Sequence, residues 1–201
     1  MRRVLFALAM LVGAAPAARA LEIVTWNVID YPTTGLAARQ PNLRTVVAAL
    51  DPDLIVMQEL KSQAGADSFR INVLNVVHPG EWAATSFFPT TESAMFYKTA
   101  KLTLTFAGSA VTTSGPRDVL VCRFKPAGYT AASTDFRVYS VHFKAGQSAP
   151  PPADSSVRRL ECTDLRNSIN LAAAGTQFLI GGDTNFYGDW EGGYIRLTES
   201  Q

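Results

Sequence analysis

The chain has 201 residues, of which 18 are basic and 17 acidic, and 47% of them are hydrophobic. This composition is ordinary for a globular protein and suits one compact domain, which excludes a low-complexity or fibrous chain. The formal net charge of +1 does not indicate non-specific nucleic-acid binding, although it does not exclude a nuclease.

Residues 1–20 have the pattern of a secretory leader. Two arginines near the start precede the apolar run Val4–Val12, and Ala18-Arg19-Ala20 forms a small-x-small cleavage site. The apolar run is too short to span a membrane, and no later segment is long and apolar enough to do so. We therefore predict a secreted or periplasmic protein with a mature domain at residues 21–201. Loss of the leader removes three arginines, which leaves 15 basic and 17 acidic residues.

The mature chain opens with two strand-and-helix passages. A β-rich run over Leu21–Tyr31 precedes a segment in which four apolar residues recur at helical spacing; these are Leu43, Val46, Val47 and Leu50. Asp51-Pro52-Asp53 ends that helix and starts a strand over Leu54–Leu60. A second, short helix is predicted over Asp67–Val77, with Phe69, Val73, Leu74 and Val77 on its buried side.

The middle of the chain is β-rich, and a further strand–helix–strand passage follows it. The predicted strands are Trp82–Phe87, Ala94–Lys98, Leu102–Phe106, Val119–Phe124 and Phe136–Phe143. After a loop that contains three consecutive prolines, Asp154 or Ser155 caps a helix that runs to about Ala173. This order of elements predicts an α+β sandwich of two packed sheets with helices outside.

Two cysteines, Cys122 and Cys162, leave two interpretations open. In an oxidising compartment they could form one disulfide, and otherwise they are buried free thiols. Their spacing indicates no zinc site, because neither has another cysteine or a histidine two to four residues away.

Four β-rich runs end in polar groups that suit the binding of a metal ion or a phosphate. They carry Thr25-Trp26-Asn27, Gln58-Glu59, Ser140-Val141-His142 and, after the apolar run Gln177–Ile180, Gly181-Gly182-Asp183-Thr184-Asn185. The order and spacing of these motifs resemble the endonuclease/exonuclease/phosphatase superfamily, which includes deoxyribonuclease I, exonuclease III, sphingomyelinases and inositol-phosphate phosphatases. The resemblance covers nearly all of residues 21–201. It implies a four-layer sandwich of two mainly antiparallel sheets with helices outside.

The resemblance also implies a divalent metal ion, Mg²⁺ or Mn²⁺, which prefers oxygen ligands. Glu59 is the first candidate ligand, because a carboxylate after the apolar run Leu54–Met57 is costly without a partner. Asn27 matches the family asparagine that supports the metal site and would bind the metal ion together with Glu59, and Asp30 is a weaker candidate. The alternatives are a strand-end salt bridge for Glu59 and a turn-forming role for Asn27.

The other candidate residues are predicted to act on the phosphate and the attacking water. The resemblance gives His142 a contact with the scissile phosphate, with Glu92 as a possible partner of this histidine. Asp183 would orient or deprotonate the water, and Asn185 would hold the phosphate or that water. Arg117 would contact the phosphate through its fork of donors, although a surface ion pair is an equally good interpretation. His142 could instead be a structural strand histidine, and we assign no role to His78.

Family members end with a strand that carries Ser-Asp-His, whose histidine is the usual general base. This sequence has no histidine after His142. We therefore expect a C-terminally incomplete copy of the fold, with weak or absent hydrolysis by residues 1–201 alone.

The predicted function is a secreted, divalent-metal-dependent phosphodiester hydrolase, with an endonuclease as the first interpretation. The substrate would be a nucleic acid or another phosphodiester, and the protein would be a monomer. One alternative is a phospholipid or inositol-phosphate phosphohydrolase of the same fold. Another is a non-catalytic binding module, because the C-terminal histidine is absent.

Overall fold

The computed structural model describes residues 20–33, 35–148 and 153–200. The predicted leader lies outside this range except for Ala20. No helix in the described ranges combines the length and the apolar character that a membrane span requires.

The described residues form eight strands in two four-stranded sheets. The first sheet contains β1 (Ile23–Tyr31), β2 (Leu54–Leu60), β4 (Ala94–Lys98) and β3 (Trp82–Ala84), in that spatial order. The second sheet contains β5 (Leu102–Val111), β6 (Val119–Pro126), β7 (Phe136–His142) and β8 (Gln177–Asp183), in that order. The helices are α1 (Leu36–Leu50), α2 (Gln63–Phe69), α3 (Asn75–Val77), α4 (Asp154–Asn170) and α5 (Gly192–Thr198).

Each sheet contains one parallel pair of strands and two antiparallel pairs. Helix α1 connects the parallel strands β1 and β2, and helix α4 connects the parallel strands β7 and β8. All other neighbouring strands are antiparallel. In a parallel pair both strands end at the same edge of the sheet. The two crossovers therefore bring four strand ends to one side of the sandwich.

Three apolar layers hold the sandwich together. Along β2, Ile55 and Met57 pack in a cluster with residues of the flanking helices, whereas Leu54 and Val56 pack against the second sheet. The third cluster joins the outer face of the second sheet to α4, mainly through Val119, Val121, Tyr139, Val141, Cys162, Leu165 and Ile169. The result is helix, sheet, sheet and helix, which confirms the predicted four-layer sandwich.

The two cysteines lie on opposite faces of the second sheet and are free thiols. Cys122 belongs to the layer between the sheets, and Cys162 lies on α4 in the outer layer. Burial raises the pKa of each thiol to about 12. Of the two interpretations that the sequence allows, the structure therefore shows the buried thiols.

Several boundaries differ from the predicted ones. The helix expected over Asp67–Val77 begins at Gln63, because the Ser62 hydroxyl accepts a hydrogen bond from the Gly65 N–H at 3.0 Å and caps it. It continues through a π-helical turn, Arg70–Leu74, into α3. Strand β3 ends at Ala84, earlier than predicted, and β5 extends to Val111.

Helix α4 also differs from the prediction at both ends. Its N-cap residue is Ala153, and the helix ends at Asn170. The side chain of Asp154 does not cap the helix; it accepts a hydrogen bond from the Ser148 N–H at 2.8 Å in the preceding loop. This carboxylate therefore fixes the loop against the helix start.

Candidate active site

The C-terminal ends of the two parallel strand pairs meet across the sandwich. Asn27 is the last residue of β1 in continuous parallel register with β2, although the strand itself runs on to Tyr31. Glu59 lies near the end of β2, His142 ends β7 and Asp183 ends β8. The register places His142 directly beside Asp183. The structure thus brings together four residues that the sequence motifs singled out separately, two from each sheet.

Asn27 joins the carboxylates of the two sheets. Its amide nitrogen donates to Glu59 Oε1 at 2.8 Å and to Asp183 Oδ2 at 3.0 Å. Its carboxamide oxygen accepts from the Ile29 N–H at 2.9 Å, which fixes the orientation of the amide. Two carboxylates that share one donor would otherwise repel each other, so this arrangement suits a site that holds a cation or a proton.

An unusual backbone conformation turns Glu59 into the site. In a regular strand, Gln58 and Glu59 would point to opposite faces of the sheet. Glu59 instead has a φ of 60°, in the left-handed region, and its Oε2 accepts from the Asp30 N–H at 3.1 Å. Gln58 points between the sheets, where its amide donates to the Ser140 hydroxyl at 3.1 Å. Backbone strain of this kind is typical of functional sites.

His142 is 5% exposed and faces both carboxylates. Its Nε2 lies 3.7 Å from Glu59 Oε1 and 4.0 Å from Asp183 Oδ2, and its Nδ1 has no hydrogen-bond partner among the described residues. Burial and, to a smaller extent, the positive charge of Arg117 lower the pKa of His142, against the opposing effect of Asp183 and Glu59. The imidazole is therefore neutral at pH 7 and can donate one hydrogen bond.

The turn after β8 presents Asp183 and Asn185 on the same side. Gly182 has a φ of 149°, and a Cβ at this position would lie 2.0 Å from the Val141 carbonyl oxygen, so only glycine fits. Asp183 Oδ1 accepts from the Asn185 N–H at 3.1 Å, and the Asn185 amide nitrogen donates to the Phe143 carbonyl at 3.0 Å. The Asp183 side chain is 34% exposed, against 19% for Glu59, so it is the more accessible carboxylate.

A chain of alternating charges borders the site. Lys61 Nζ lies 2.8 Å from Asp30 Oδ1 and 2.9 Å from Glu92 Oε1, and Arg117 Nε donates to Glu92 Oε2 at 2.9 Å. Burial alone would lower the pKa of Lys61, but its bonds with Asp30 and Glu92 outweigh burial and raise that pKa. Lys61 therefore remains charged beside the site, on the other side of Glu92 from the Arg117 guanidinium.

These ion pairs differ from the sequence-based prediction for Glu92, and they add Lys61 to the residues of the site. Glu92 does not contact His142, because Lys61 and Arg117 occupy its carboxylate. Arg117 does form an ion pair, and the pair lies beside the strand ends. Lys61 was not singled out from the sequence. Its position two residues after Glu59 is the only signal that could have identified it.

The oxygen donors of this site are few. In residues 20–33, 35–148 and 153–200, no group of three or more His, Cys, Asp and Glu side chains is arranged to hold a metal ion. What the site offers is the two carboxylates of Glu59 and Asp183, held by Asn27. Mg²⁺ is commonly bound in this way, through one or two carboxylates with the remaining positions left to water and to phosphate oxygens. The donor set is therefore compatible with Mg²⁺ and incompatible with a structural zinc site.

A buried ion pair supports the loops behind the site. The Arg158 guanidinium donates to both carboxylate oxygens of Glu191 at 2.8 Å, and each of the two side chains is 1% exposed. The same guanidinium donates to the carbonyl oxygens of Lys144 and Gly146, both at 2.8 Å. Arg158 thus ties α4 to the loop after His142 and to the segment that follows Asn185. The sequence analysis missed this pair.

Comparison with known proteins identifies the fold. No protein-family model matches the sequence, and no curated protein matches it either. Many solved structures are similar, and they include the following three. The catalytic domain of human Nocturnin with a bound sulfate anion has a TM-score of 0.69 at 16% identity. An endonuclease/exonuclease/phosphatase family protein from Bacteroides thetaiotaomicron has a TM-score of 0.67 at 13% identity. D. rerio TDP2 complexed with single-strand DNA product has a TM-score of 0.64 at 18% identity.

These similarities cover most of this chain but only part of the other proteins. The similarity to Nocturnin covers 90% of this chain and 70% of the solved chain. The corresponding values are 89% and 68% for the Bacteroides thetaiotaomicron protein, and 84% and 62% for D. rerio TDP2. This chain thus spans less than two thirds of the D. rerio protein's length. At such low identities the similarity establishes the fold, which is that of the endonuclease/exonuclease/phosphatase structures, as the sequence motifs predicted.

Proposed function

We propose that this protein is a divalent-metal-dependent phosphodiester hydrolase that acts on nucleic acid. The observation that carries the proposal is the Asn27 amide, which holds Glu59 and Asp183 together beside a neutral His142. The fold supports it, because one structure of the same fold, D. rerio TDP2, is complexed with single-strand DNA product. We further propose that the protein is a secreted endonuclease and that it acts as a monomer.

Glu59 and Asp183 would hold the metal ion, with Asn27 fixing the distance between them. A bound Mg²⁺ or Mn²⁺ would neutralise the charge that develops on the phosphate. The protein contributes a rigid arrangement of donors, because Asn27 is itself fixed by the Ile29 N–H and Glu59 by the Asp30 N–H. Preorganised donors of this kind account for a large part of catalysis by enzymes.

The remaining residues would position the substrate and the water. His142 would donate a hydrogen bond from Nε2 to a phosphate oxygen, because the neutral ring has one N–H. Asp183, the more accessible carboxylate, would orient the attacking water by accepting a hydrogen bond from it. The Asn185 amide nitrogen is held by Phe143, which leaves its oxygen to accept from the same water.

Two cations would attract the phosphate. Arg117 uses Nε for Glu92, so the terminal nitrogens of its guanidinium can donate to a phosphate oxygen. Lys61 lies on the other side of Glu92 and adds a second positive charge. Together they would offset the negative charge of Glu59, Asp183 and Glu92, which would otherwise repel an anionic substrate.

The test is hydrolysis by the purified secreted protein with and without Mg²⁺. The substrates are plasmid DNA, a single-stranded RNA and sphingomyelin vesicles. We expect Mg²⁺-dependent cutting of DNA, weak for residues 21–201 alone and stronger for a chain that supplies the missing strand. Cutting should be lost in Glu59→Gln, whereas Glu81→Gln, at an exposed glutamate, serves as the matched control. Hydrolysis of only the vesicles would support the phospholipid alternative.

The midpoint of thermal unfolding of the same proteins shows whether they bind Mg²⁺, independently of whether they hydrolyse a substrate. A specific metal site stabilises the folded state by mass action, so Mg²⁺ should raise the midpoint of the wild type but not that of Glu59→Gln. If Mg²⁺ leaves the wild-type midpoint unchanged and no substrate is cut, the protein is a non-catalytic binding module. Undiminished cutting by Glu59→Gln would refute the assignment of Glu59.

A further inference from the structure

Two arginines lie directly opposite each other on the outer face of the second sheet. The register of the antiparallel pair β6 and β7 places Arg123 beside Arg137. Both belong to the face that carries Val121 and Tyr139, because side chains alternate along each strand. Like charges at directly opposite positions of neighbouring strands are destabilising. Such a pair is explained most simply by a ligand of opposite charge.

Neither arginine forms a direct ion pair among the described residues. In the part of the chain that the structure describes, no carboxylate lies within ion-pair distance of Arg123 or of Arg137. The guanidinium of Arg123 lies over the Phe106 ring, 5.5 Å from its centroid. Arg137 donates to the Tyr139 hydroxyl at the long distance of 3.5 Å. Stacking on a ring orients a guanidinium and leaves its N–H donors free for a ligand.

The two side chains line one cleft of about 410 Å³. Its other walls include Ser133, from the segment before β7, and Ala174 and Gly175, from the loop before β8. Asp135 also lines the cleft, but its carboxylate is paired with Lys125 at 3.1 Å. The pKa of Asp135 is lowered, against burial, by its hydrogen bonds with Lys125 and Thr105 and then by the charges of Lys125 and Arg123. One carboxylate thus faces Lys125, Arg123 and Arg137, and these four side chains leave a net positive charge in and beside the cleft.

This cleft is remote from the candidate active site. Arg137 is five residues before His142 on β7, which at about 3.3 Å per residue separates their Cα atoms by roughly 17 Å. A strand that carries a candidate catalytic histidine at its C-terminal end therefore carries a basic cleft near its N-terminal end. The two features share no side chain.

We propose that this cleft binds a phosphate group, with Arg123 and Arg137 donating to its oxygens from two neighbouring strands. Arginine is the residue best suited to this task, because its planar donors match the geometry of phosphate oxygens. The volume accommodates a free phosphate or a phosphate monoester of nucleotide size. The proposal does not depend on the proposed function, because none of its residues belongs to the strand-end site.

The test follows the arginine Nε–Hε signals of the intact protein by NMR while inorganic phosphate is added at constant ionic strength. The signals of Arg123 and Arg137 are assigned from their absence in Arg123→Gln and Arg137→Gln. We expect both signals to shift along one saturable curve, and each shift to disappear when the other arginine is replaced. Arg159, an exposed arginine on α4, is the control whose signal should not follow this curve.

Thermal denaturation gives a second, independent measurement. Phosphate should raise the midpoint of the wild type more than that of Arg123→Gln, and the difference isolates the cleft from any phosphate bound at the strand ends. Without phosphate, Arg123→Gln should be at least as stable as the wild type, because it removes a like-charge pair. Shifts that do not saturate, or that are equal for chloride, would overturn the proposal. Titrations with a nucleoside 5′-monophosphate and with a single-stranded oligonucleotide distinguish a free phosphate group from one in a polymer.

Discussion

The guanidinium of Arg158 and the carboxylate of Glu191 form a bidentate ion pair that is almost completely buried. Removing one partner of such a pair leaves an uncompensated charge in the interior, which costs about 3–5 kcal/mol. We therefore expect Arg158→Met to lower the free energy of unfolding by this amount in urea denaturation.

The control for this variant is Arg196→Met. Arg196 also pairs with a glutamate at 2.8 Å, but its side chain and that of Glu199 are 29% and 47% exposed, so its loss should cost about 1 kcal/mol or less. The double variant Arg158→Met/Glu191→Gln should lose less stability than the two single variants together. Equal losses for Arg158→Met and Arg196→Met would show that the buried pair contributes nothing beyond a surface bridge.

The pKa of His142 should depend on Arg117. The chain has two histidines, so an NMR titration of the imidazole signals resolves each of them, with His78 as an internal control. We expect His142 to titrate below 6.5 in the wild type, because of burial first and of Arg117 second. Arg117→Gln removes a nearby positive charge and should raise the pKa of His142.

The lowered pKa of His142 also makes the stability of the protein depend on pH. Because the pKa of His142 is lower in the folded chain than its usual 6.5, the unfolded chain takes up this proton first, and stability decreases as the pH falls through 6.5. His142→Asn should remove this part of the acid sensitivity. A pKa of His142 that does not change in Arg117→Gln would contradict the electrostatic account.

Glu161 should destabilise the protein at neutral pH. It is fully buried on α4, its Oε2 accepts from the Lys144 N–H at 2.9 Å, and its Oε1 has no hydrogen-bond partner among the described residues. Burial raises its pKa from 4.5 to about 7. The folded chain therefore holds a proton that the unfolded chain has released, and stability is lost as the pH rises from 4.5 through 7.

Glu161→Gln reproduces the protonated form. At about 1.4 kcal/mol per pKa unit, it should stabilise the protein by a few kcal/mol at pH 8 and have little effect below pH 4.5. Denaturation at both pH values measures the difference. The matched variant Glu191→Gln should have the opposite effect at pH 8, because Arg158 lowers the pKa of Glu191. A stabilisation by Glu161→Gln that is the same at both pH values would refute the titration.

The two consecutive glycines before Asp183 should respond differently to alanine. Gly182 combines a φ of 149° with a position where a Cβ would lie 2.0 Å from the Val141 oxygen, whereas a Cβ at Gly181 would make ordinary contacts of 3.7–3.8 Å with Thr25 and Val56. Gly182→Ala should lose at least about 1–3 kcal/mol of stability and displace Asp183. Gly181→Ala should retain the wild-type midpoint within a few degrees; equal losses in both variants would contradict this account.

The layers of the fold could be predicted from the sequence because alternation and helical spacing are properties of each segment alone. Along β2, the residues Leu54 to Met57 alternate between two apolar layers, as any strand buried on both faces does. The start of α2 was missed because Ser62 gave no strong capping pattern. The two cysteines could not be assigned, since only the fold places them on opposite faces of one sheet.

The site could be predicted only in part. Asn27, Glu59, His142 and Asp183 end β-rich runs, and the order of their motifs carried the resemblance. Their contacts could not be derived, because a left-handed residue such as Glu59 breaks the alternation on which sequence analysis depends. The charged partners of Glu92 and of Arg158 lie 25–33 residues away in sequence, and no local pattern identifies them.

The hydrogen bond from Asn27 to Asp183 crosses from one sheet to the other, and these two residues are 156 positions apart in sequence. Each sheet keeps its own ladder of hydrogen bonds, so a small sliding of one sheet over the other would separate Asn27 from Asp183 without melting either sheet. The geometry of the strand-end site therefore depends on the relative position of the two sheets. On heating, activity should be lost at a lower temperature than secondary structure. The difference between these two midpoint temperatures measures how strongly the contacts between the sheets resist sliding.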